Sequence, residues 1–235
     1  MRNLVKLLTG AVLLSLIYAT PMTGQTSGTA KGKSQKVTGK EVPMGTIEIE
    51  LFAQDAPKAV ENFVKLADRK YFNGVLFHRV AKGFVIQGGD PTGTGAGGKS
   101  IWGKDFVDEL NPNAPSFKEG YKKGTVAMAN KGPNTNSSQF FIMLADAPRM
   151  PKNYTIFGKV VKGLEVVEKI GETEIIPQMG PTDGKPKEDI LMKTVTVSKP
   201  PSTGDSKDPK PNPRVKIEVV HREPAPPAEP ATENK

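Results

Sequence analysis

The sequence contains no cysteine and only two histidines, His78 and His221, in 235 residues. The missing cysteines exclude disulfides, thiolate zinc sites and cysteine nucleophiles. Two histidines argue against a histidine-activated serine and against a metal centre built from several imidazoles. Neither H-E-x-x-H nor G-x-S-x-G occurs. We therefore expect no metal and no cofactor, and we expect His78 to be a core residue whose ring nitrogens are satisfied locally.

Aromatic residues are almost absent outside the middle of the chain, where 14 of the 15 lie between residues 52 and 157. Residues 199–235 contain nine of the 21 prolines and no aromatic residue, which predicts a proline-rich, disordered tail. One exception is the alternating segment 215–221, which could pair as a strand with a partner. Residues 20–40, rich in Thr, Ser, Gly and Lys, predict a flexible linker. The folded domain is therefore expected at residues 41–198.

The amino terminus has the composition of an export signal. Arg2 and Lys6 precede an apolar run over residues 7–19, which is shorter than the roughly 20 residues that a spanning helix needs. Residues 1–19 are therefore predicted to be a signal peptide or, if uncleaved, an N-terminal anchor. We expect an exported protein, periplasmic or extracellular, that meets a membrane only through an uncleaved leader.

The formal charge of +8 is not carried by the expected domain. Residues 1–40 hold six bases and no acid, whereas residues 41–198 hold 20 bases and 19 acids. A nearly neutral domain gives poor support for a nucleic-acid groove, because phosphate binding requires clustered basic side chains. We expect no nucleic-acid partner.

The hydrophobic pattern is that of a mostly β protein. Strict alternation over residues 46–51 predicts a half-buried strand. Helices are predicted at 55–71 and 163–170, and further strands at 75–80, 84–87, 125–129, 139–144, 154–161 and 190–197. Closure into a barrel is one way for so many short strands to avoid exposed edges.

A glycine-rich segment at residues 93–100 satisfies the phosphate-loop pattern G-x-x-x-x-G-K-[ST]. A phosphate loop requires a buried strand before it and a helix starting at its lysine. Here Gly88-Gly89-Asp90-Pro91 precedes the segment, and Ile101-Trp102-Gly103 follows it. Because neither neighbour fits, the segment is interpreted as a loop without a nucleotide.

Two segments combine glycine, amides and phenylalanine in an unusual way. The first reads F-H-R-V-x-x-G-F-V-I-Q-G-G-D-P from Phe77, and the second reads M-A-N-x-G-P-N-T-N-S-S-Q-F-F-I from Met128. Followed by Y-T-I-F-G-K-V, they closely resemble the cyclophilin-type peptidyl-prolyl cis-trans isomerases over residues 42–197. The compact loops resemble the bacterial branch. The resemblance implies a closed eight-stranded antiparallel barrel capped by two α-helices.

The resemblance also implies a set of site residues. Arg79 corresponds to the family's catalytic arginine. The remaining correspondences are a proline pocket formed by Phe84, Val85, Phe141, Met150 and Tyr154, and a backbone-holding group formed by Gln87, Ala129, Asn130 and Gln139. Val85 stands where many members have Met, and Tyr154 where many have His. Arg149 stands where the family has a tryptophan important for cyclosporin binding, so weak cyclosporin binding is expected.

These resemblances predict a monomeric prolyl isomerase that acts on proline-containing segments of unfolded or flexible exported proteins. The alternative is a non-catalytic module that uses the same groove to bind peptides without turnover. The joint presence of Arg79, Phe84, Gln87, Asn130 and Phe141 favours the enzyme.

Overall fold

The computed structural model describes residues 39–198 and 212–223. The predicted leader and linker, and most of the predicted tail, lie outside the described residues. The described part contains eleven strands and three helices. In chain order they are β1 Glu41–Leu51, α1 Pro57–Asp68, β2 Val75–Leu76, β3 Arg79–Ala81, β4 Val85–Gly88, α2 Pro115–Glu119, β5 Thr125–Met128, β6 Phe140–Met143, β7 Ile156–Lys162, α3 Leu164–Glu172, β8 Ile175–Gly180, β9 Asp183–Pro186, β10 Asp189–Ser198 and β11 Arg214–Arg222.

All eleven strands form one antiparallel sheet in the order β2-β10-β11-β1-β7-β5-β6-β4-β3-β9-β8. The sheet is curled, because β2 lies at one end of this order and β3 lies near the other end. Only Phe77 and His78 separate these two strands in the chain, so the two ends of the sheet must lie close together. The mostly-β prediction is confirmed, but the closed barrel of eight strands is not. The predicted strand 75–80 is divided into β2 and β3 at Phe77 and His78, and the hairpin β8–β9 was not predicted.

The tail prediction is wrong for residues 212–223. Within them, β11 lies between β1 and β10 and is hydrogen-bonded to both strands. Val215, Ile217 and Val219 alternate along β11, and their side chains lie in the larger core of the domain. The alternating segment therefore pairs within its own domain, and the boundary predicted at residue 198 is too early.

The two predicted helices correspond to α1 and α3, and α2 adds a third, short helix. Pro57 begins α1, since proline tolerates the first helical turn. The Glu109 carboxylate, and not a side chain beside the helix, accepts the free backbone N–H groups of Lys58 and Ala59 at 3.0 and 2.9 Å. The predicted cap Asp55 instead accepts the N–H of Ser116 at 2.9 Å.

The core has two parts. The larger lies between the sheet and helices α1 and α3, and Phe63 stacks there on Phe72 and meets Phe140 edge to face. The smaller core lies around Phe141, whose neighbour in the strand, Phe140, belongs to the larger one. Successive strand side chains point to opposite faces, so β6 contributes to both cores. The smaller core forms one wall of the candidate site.

Among the helices of residues 39–198 and 212–223, none is long and apolar enough to cross a membrane.

Candidate active site

The candidate site lies on the face of the sheet that carries the smaller core. Arg79 on β3 pairs with Gln87 on β4, and Gln87 pairs with Phe141 on β6. Residues directly opposite one another in neighbouring strands share a face, so these three side chains form a row across the sheet. The row places a cation, an amide and an aromatic ring side by side.

The Arg79 guanidinium is held by three hydrogen bonds. Nε and Nη2 donate to the two carboxylate oxygens of Asp183 at 2.9 and 2.7 Å, and Nη1 donates to Gln87 Oε1 at 2.9 Å. The side chain is about one quarter exposed (26%), so part of it is accessible to a ligand. A guanidinium has five N–H bonds, and these contacts leave one N–H on each terminal nitrogen for a ligand.

An amide relay continues from Arg79 to the glycine-rich loop. Gln87 Nε2 donates to Gln139 Oε1 at 2.9 Å, and Gln139 Nε2 donates to the carbonyl oxygens of Gly95 and Gly97 at 2.9 and 2.8 Å. Because arginine can only donate, Gln87 must present its oxygen to Arg79, and this choice fixes the orientation of both amides. The relay therefore holds the guanidinium from the side opposite Asp183.

An apolar wall stands beside the relay. Phe141 meets the Tyr154 ring edge to face, with centroids 5.4 Å apart, and Met150 and Ala129 pack against the same cluster. Tyr121 supports this wall, since its hydroxyl donates to the Tyr154 carbonyl at 3.0 Å and accepts the Tyr154 N–H at 2.9 Å. Burial raises the pKa of Tyr121 to about 12, so its hydroxyl keeps its proton at neutral pH.

Phe84 and Val85 take different positions from each other. Phe84 lies at the turn between β3 and β4 and is 37% exposed. Val85 is buried in the smaller core together with Phe141. Arg149 is exposed in the turn before Met150. The structure thus brings Val85, Phe141, Met150 and Tyr154 together, whereas Phe84 is an exposed residue outside this cluster.

A small open pocket adjoins the relay and contains all four residues predicted to hold substrate backbone. Its lining consists of Gln87, Gly95, Ala129, Asn130, Lys131, Thr135, Ser137 and Gln139. The Asn130 side chain donates to the Asn153 carbonyl at 3.0 Å and accepts the Gly132 N–H at 3.3 Å. Within the described part of the chain, no hydrogen bond involves the backbone N–H or C=O of Asn130. Its side chain thus orders the loop and its backbone is free to bind a ligand.

The glycine-rich loop surrounds a carboxylate of the protein itself. Backbone N–H groups of Thr92, Gly95 and Gly97 donate to Asp90 at 2.8, 2.8 and 3.1 Å. Burial opposes the ionisation of Asp90, but these bonds outweigh it and lower its pKa. The amide groups that a phosphate would require are therefore occupied, which agrees with the interpretation of this segment as a loop without a nucleotide.

His78 is buried as predicted, but the prediction that its ring is satisfied locally is wrong. Among residues 39–198 and 212–223, neither ring nitrogen has a hydrogen-bond partner. Burial lowers the pKa of His78, the Arg79 charge lowers it further, and Asp90 acts in the opposite direction. The imidazole is therefore neutral at neutral pH.

Among the described residues, no group of three or more His, Asp or Glu side chains is arranged to hold a metal ion.

Comparison with known proteins identifies the family. Residues 36–197 match the model of the cyclophilin type peptidyl-prolyl cis-trans isomerases. The chain belongs to this family. It is a cyclophilin-type isomerase, and the predicted enzyme class and activity are confirmed.

Individual relatives cover the same part of the chain. The peptidyl-prolyl cis-trans isomerase CYP18-1 of Arabidopsis thaliana is 47% identical over 161 residues, which are 68% of this chain and 95% of that protein. The human peptidyl-prolyl cis-trans isomerase-like 3 is 46% identical over 154 residues, which are 66% of this chain and 91% of that protein. The likeness to the bacterial branch is not confirmed by the comparisons.

A solved structure shows the same fold. The cyclophilin-type isomerase of Cryptosporidium parvum, crystallised in the presence of the dipeptide Ala-Pro, is 38% identical with a TM-score of 0.57. The superposition covers 66% of this chain and 96% of that one.

Two residues of the site of this isomerase were not predicted from the sequence. Asp183 is 104 positions from Arg79 in the chain, and its neighbours Thr182 and Gly184 indicate only a turn. Tyr121 is separated from Tyr154 by 33 positions. No local pattern reports contacts at such separations, because the sheet register creates them.

Proposed function

We propose that this isomerase catalyses rotation about Xaa-Pro bonds at the cleft beside β3, β4 and β6, with Arg79 as the catalytic residue. The observation that carries the proposal is the fixed guanidinium, which retains two N–H bonds at the edge of an apolar wall. The substrates we propose are proline-containing segments of unfolded or flexible polypeptides. The Ala-Pro dipeptide used with the Cryptosporidium parvum relative supports this class of ligand.

The proline ring would lie against Phe141, Met150 and Tyr154, which are apolar and stand beside the relay. Phe84, which is partly exposed at the turn between β3 and β4, would cover the ring. The flanking backbone would pair with the free N–H and C=O of Asn130, next to Gln87 and Ala129 in the adjoining pocket. These contacts give the reacting bond a fixed position.

The rotation barrier of a prolyl bond is about 20 kcal/mol, and the uncatalysed exchange takes tens to hundreds of seconds. To reach about a thousand events per second, the enzyme must lower this barrier by about 7 kcal/mol. As the amide twists, its nitrogen becomes pyramidal and acquires a lone pair that a guanidinium N–H can stabilise. Such a charge-assisted bond contributes about 1.5 to 3 kcal/mol. The remainder must come from selective binding of the twisted form in the cleft.

The test is the isomerisation rate of a short Ala-Pro peptide with the wild-type protein and with Arg79→Ala. We expect the substitution to lower kcat/KM by about tenfold to a hundredfold, which corresponds to the loss of one charge-assisted bond. Arg69→Ala is the matched control, because Arg69 is exposed just beyond α1, and it should leave the rate unchanged. Full activity of Arg79→Ala would refute the catalytic role of Arg79.

The rival function is peptide binding without turnover in the same groove. It predicts that the wild-type protein and Arg79→Ala both leave the peptide at its uncatalysed rate while the peptide still binds. A binding isotherm measured beside the rate assay separates the two outcomes.

We propose in addition that the protein is exported and assists the folding of exported proteins. The support is the sequence of residues 1–19, in which two basic residues precede an apolar run. Mass spectrometry of the amino terminus, with fractionation of the native cells, tests this. A mature chain outside the cytoplasm that lacks these residues supports a signal peptide, and an intact chain in the membrane fraction supports an anchor. An intact chain in the cytosol contradicts both.

We also propose that cyclosporin binds weakly and that the domain is monomeric. Arg149, exposed in the turn before Met150, places a charge where the drug would require an apolar surface. Arg149→Trp is expected to tighten cyclosporin inhibition without changing the uninhibited rate. Sedimentation of the same samples tests the oligomeric state.

A further inference from the structure

We propose that Asp183 is a positioning residue that orients the Arg79 guanidinium for the reaction. The inference rests on the proposed catalytic role of Arg79 and extends it to a residue on a different part of the sheet. Asp183 begins β9, whereas Arg79 begins β3, and the two side chains meet across the pair of strands.

The contact between the two side chains is bidentate. Asp183 Oδ1 accepts from Nε at 2.9 Å and Oδ2 accepts from Nη2 at 2.7 Å, so the carboxylate engages one edge of the guanidinium plane. Two parallel bonds fix the rotation of that plane, which a single bond would not do. Both side chains are largely shielded from solvent, at 26% exposed for Arg79 and 19% for Asp183. Solvent therefore screens this pair less than an ordinary surface ion pair.

The backbone that carries Asp183 is itself held. Asp183 pairs with Ala81 and Gly184 pairs with Val80 in the β3–β9 ladder, and the Lys82 N–H donates to the Thr182 carbonyl at 2.8 Å. On its other side β9 pairs with β8, where a Cβ on Gly184 would collide with the Ile176 carbonyl. The carboxylate is thus presented from a strand fixed on both edges.

Three N–H groups of the guanidinium bind side chains of the protein, and the other two remain available to the substrate. Asp183 occupies one edge, Gln87 holds Nη1, and one N–H on each terminal nitrogen is left for the cleft. Without Asp183, only the single bond to Gln87 would restrain the head group, and the long side chain would regain rotational freedom. A misplaced catalytic group lowers the rate of the chemical step more than it lowers binding. Asp183 should therefore act on kcat.

The experiment compares the full-length wild-type protein with Asp183→Ala, Asp183→Asn, Arg79→Ala and the double variant Arg79→Ala/Asp183→Ala. With an Ala-Pro peptide, we expect Asp183→Ala to lower kcat by about tenfold with little change in KM, because orientation is lost while the apolar wall remains. Asp183→Asn retains only one acceptor oxygen, so its kcat should lie between that of the wild type and that of Asp183→Ala. In the double variant, the loss of Asp183 should add nothing to the loss of Arg79.

Asp189→Ala is the matched control. Asp189 also pairs with a basic residue, Lys185 at 3.6 Å, and is similarly shielded at 24% exposed, but it does not contact Arg79. It should leave kcat unchanged. The Nε–H resonance of Arg79, assigned by its absence from Arg79→Lys, gives a second reading that does not depend on turnover. In Asp183→Ala this resonance should move towards that of free arginine and exchange faster with water.

The outcomes separate the two hypotheses. If Arg79→Ala lowers kcat but Asp183→Ala matches the wild type, the positioning role is refuted and the catalytic role of Arg79 stands. If Arg79→Ala is itself fully active, the catalytic role of Arg79 is refuted, and the positioning role that rests on it is refuted as well. If Asp183→Ala lowers the rate equally in the presence and absence of Arg79, its effect is on the fold, and the positioning role is again refuted.

Discussion

Ile217 of β11 pairs with Ile47 of β1, and both side chains are fully buried. The pairing joins a residue of the family match, which covers residues 36–197, to a residue beyond it. On its other edge β11 pairs with β10, from Asp189 opposite Arg222 to Ser198 opposite Arg214. A strand that is bonded on both edges and buried on one face contributes to the core as any central strand does. Residues 212–223 therefore belong to the isomerase domain.

Removal of β11 should destabilise the domain severely. A chain that ends at residue 198 would leave the facing edges of β1 and β10 unpaired and would uncover apolar side chains such as Ile47 and Val195. We expect this variant to aggregate or to unfold at a much lower urea concentration. A chain that ends at residue 223 is the matched control and should unfold like the wild type.

Ile217→Ala tests the same idea without truncation. The substitution removes buried volume from the centre of β11 and should lower the free energy of unfolding by about 2 to 5 kcal/mol. Equal urea midpoints for the wild type and both the shortened and substituted chains would show that β11 is dispensable.

Tyr121→Phe should loosen the apolar wall of the cleft. The Tyr121 hydroxyl bridges the N–H and C=O of Tyr154, and its loss leaves both groups without that partner. We expect the free energy of unfolding to fall by about 1 to 3 kcal/mol and KM for an Ala-Pro peptide to rise. Urea unfolding and initial-rate kinetics measure the two effects.

Tyr71→Phe provides the comparison for this prediction. Its hydroxyl also has two partners, Ser138 Oγ and the Lys99 N–H, but it does not contact the wall. It should lower stability without raising KM. A Tyr121→Phe variant with unchanged KM would mean that Tyr121 supports the fold alone. In an ultraviolet titration, the same variant should lack the tyrosine that ionises near pH 12.

Local composition and periodicity predicted the helices α1 and α3 and most of the strands. The family followed from the resemblance of the two motifs that begin at Phe77 and Met128. Strand β11 was recognised as an alternating segment, but its partner could not be named. Alternation shows that one face is buried and does not show against what. The proline-rich surroundings favoured disorder, and only the ladder with β1 and β10 corrects that prediction.

The structure gathers Arg79, Gln87, Gln139 and Phe141 on one face, and their roles in the site stay predictions. The support for these residues was not predictable. Asp183 and Tyr121 act through side-chain contacts at long sequence separation, which depend on register and curl. The number of predicted strands does not determine their register or the curl of the sheet. For the same reason the sequence did not predict the observed number of strands.

Asp90→Asn should destabilise the glycine-rich loop. The carboxylate gathers backbone N–H groups from Thr92, Gly95 and Gly97, and charged acceptors form stronger bonds than neutral ones. We expect a loss of about 2 to 3 kcal/mol in the free energy of unfolding at pH 7. Because the pKa of Asp90 is lowered in the folded protein, its contribution is present above the ordinary pKa of aspartate and is lost as the pH falls below it.

The urea midpoint at pH 7 and at pH 3 measures this contribution, and the wild type and Asp90→Asn should differ less at the lower pH. Asp68→Asn is the control, since Asp68 is exposed at the end of α1. A constant difference between the wild type and Asp90→Asn across this range would contradict the account.

Because Asp90 occupies the backbone N–H groups of the glycine-rich loop, this loop should not bind a nucleotide. Calorimetry with ATP should show no saturable binding to the wild type or to Lys99→Ala.

His78 should make the domain less stable in mild acid. Burial, together with the Arg79 charge, lowers the pKa of His78 below 6.5, so the unfolded chain takes up a proton that the folded protein does not. Stability from the neutral imidazole is therefore complete above pH 6.5 and is lost as the pH falls below that value. Between pH 6.5 and 5.5, the free energy of unfolding should fall by up to about 1 kcal/mol from this residue.

His78→Leu should remove this dependence, because leucine is apolar and does not titrate. His221→Gln is the matched control, since His221 is the other histidine and pairs with Glu188 near the surface. Urea unfolding at several pH values between 5.5 and 7.5 provides the measurement. The contrary outcome is that the free energy of unfolding of His78→Leu depends on pH as in the wild type, while that of His221→Gln does not. The protonation of His78 would then make no contribution to the stability of the domain.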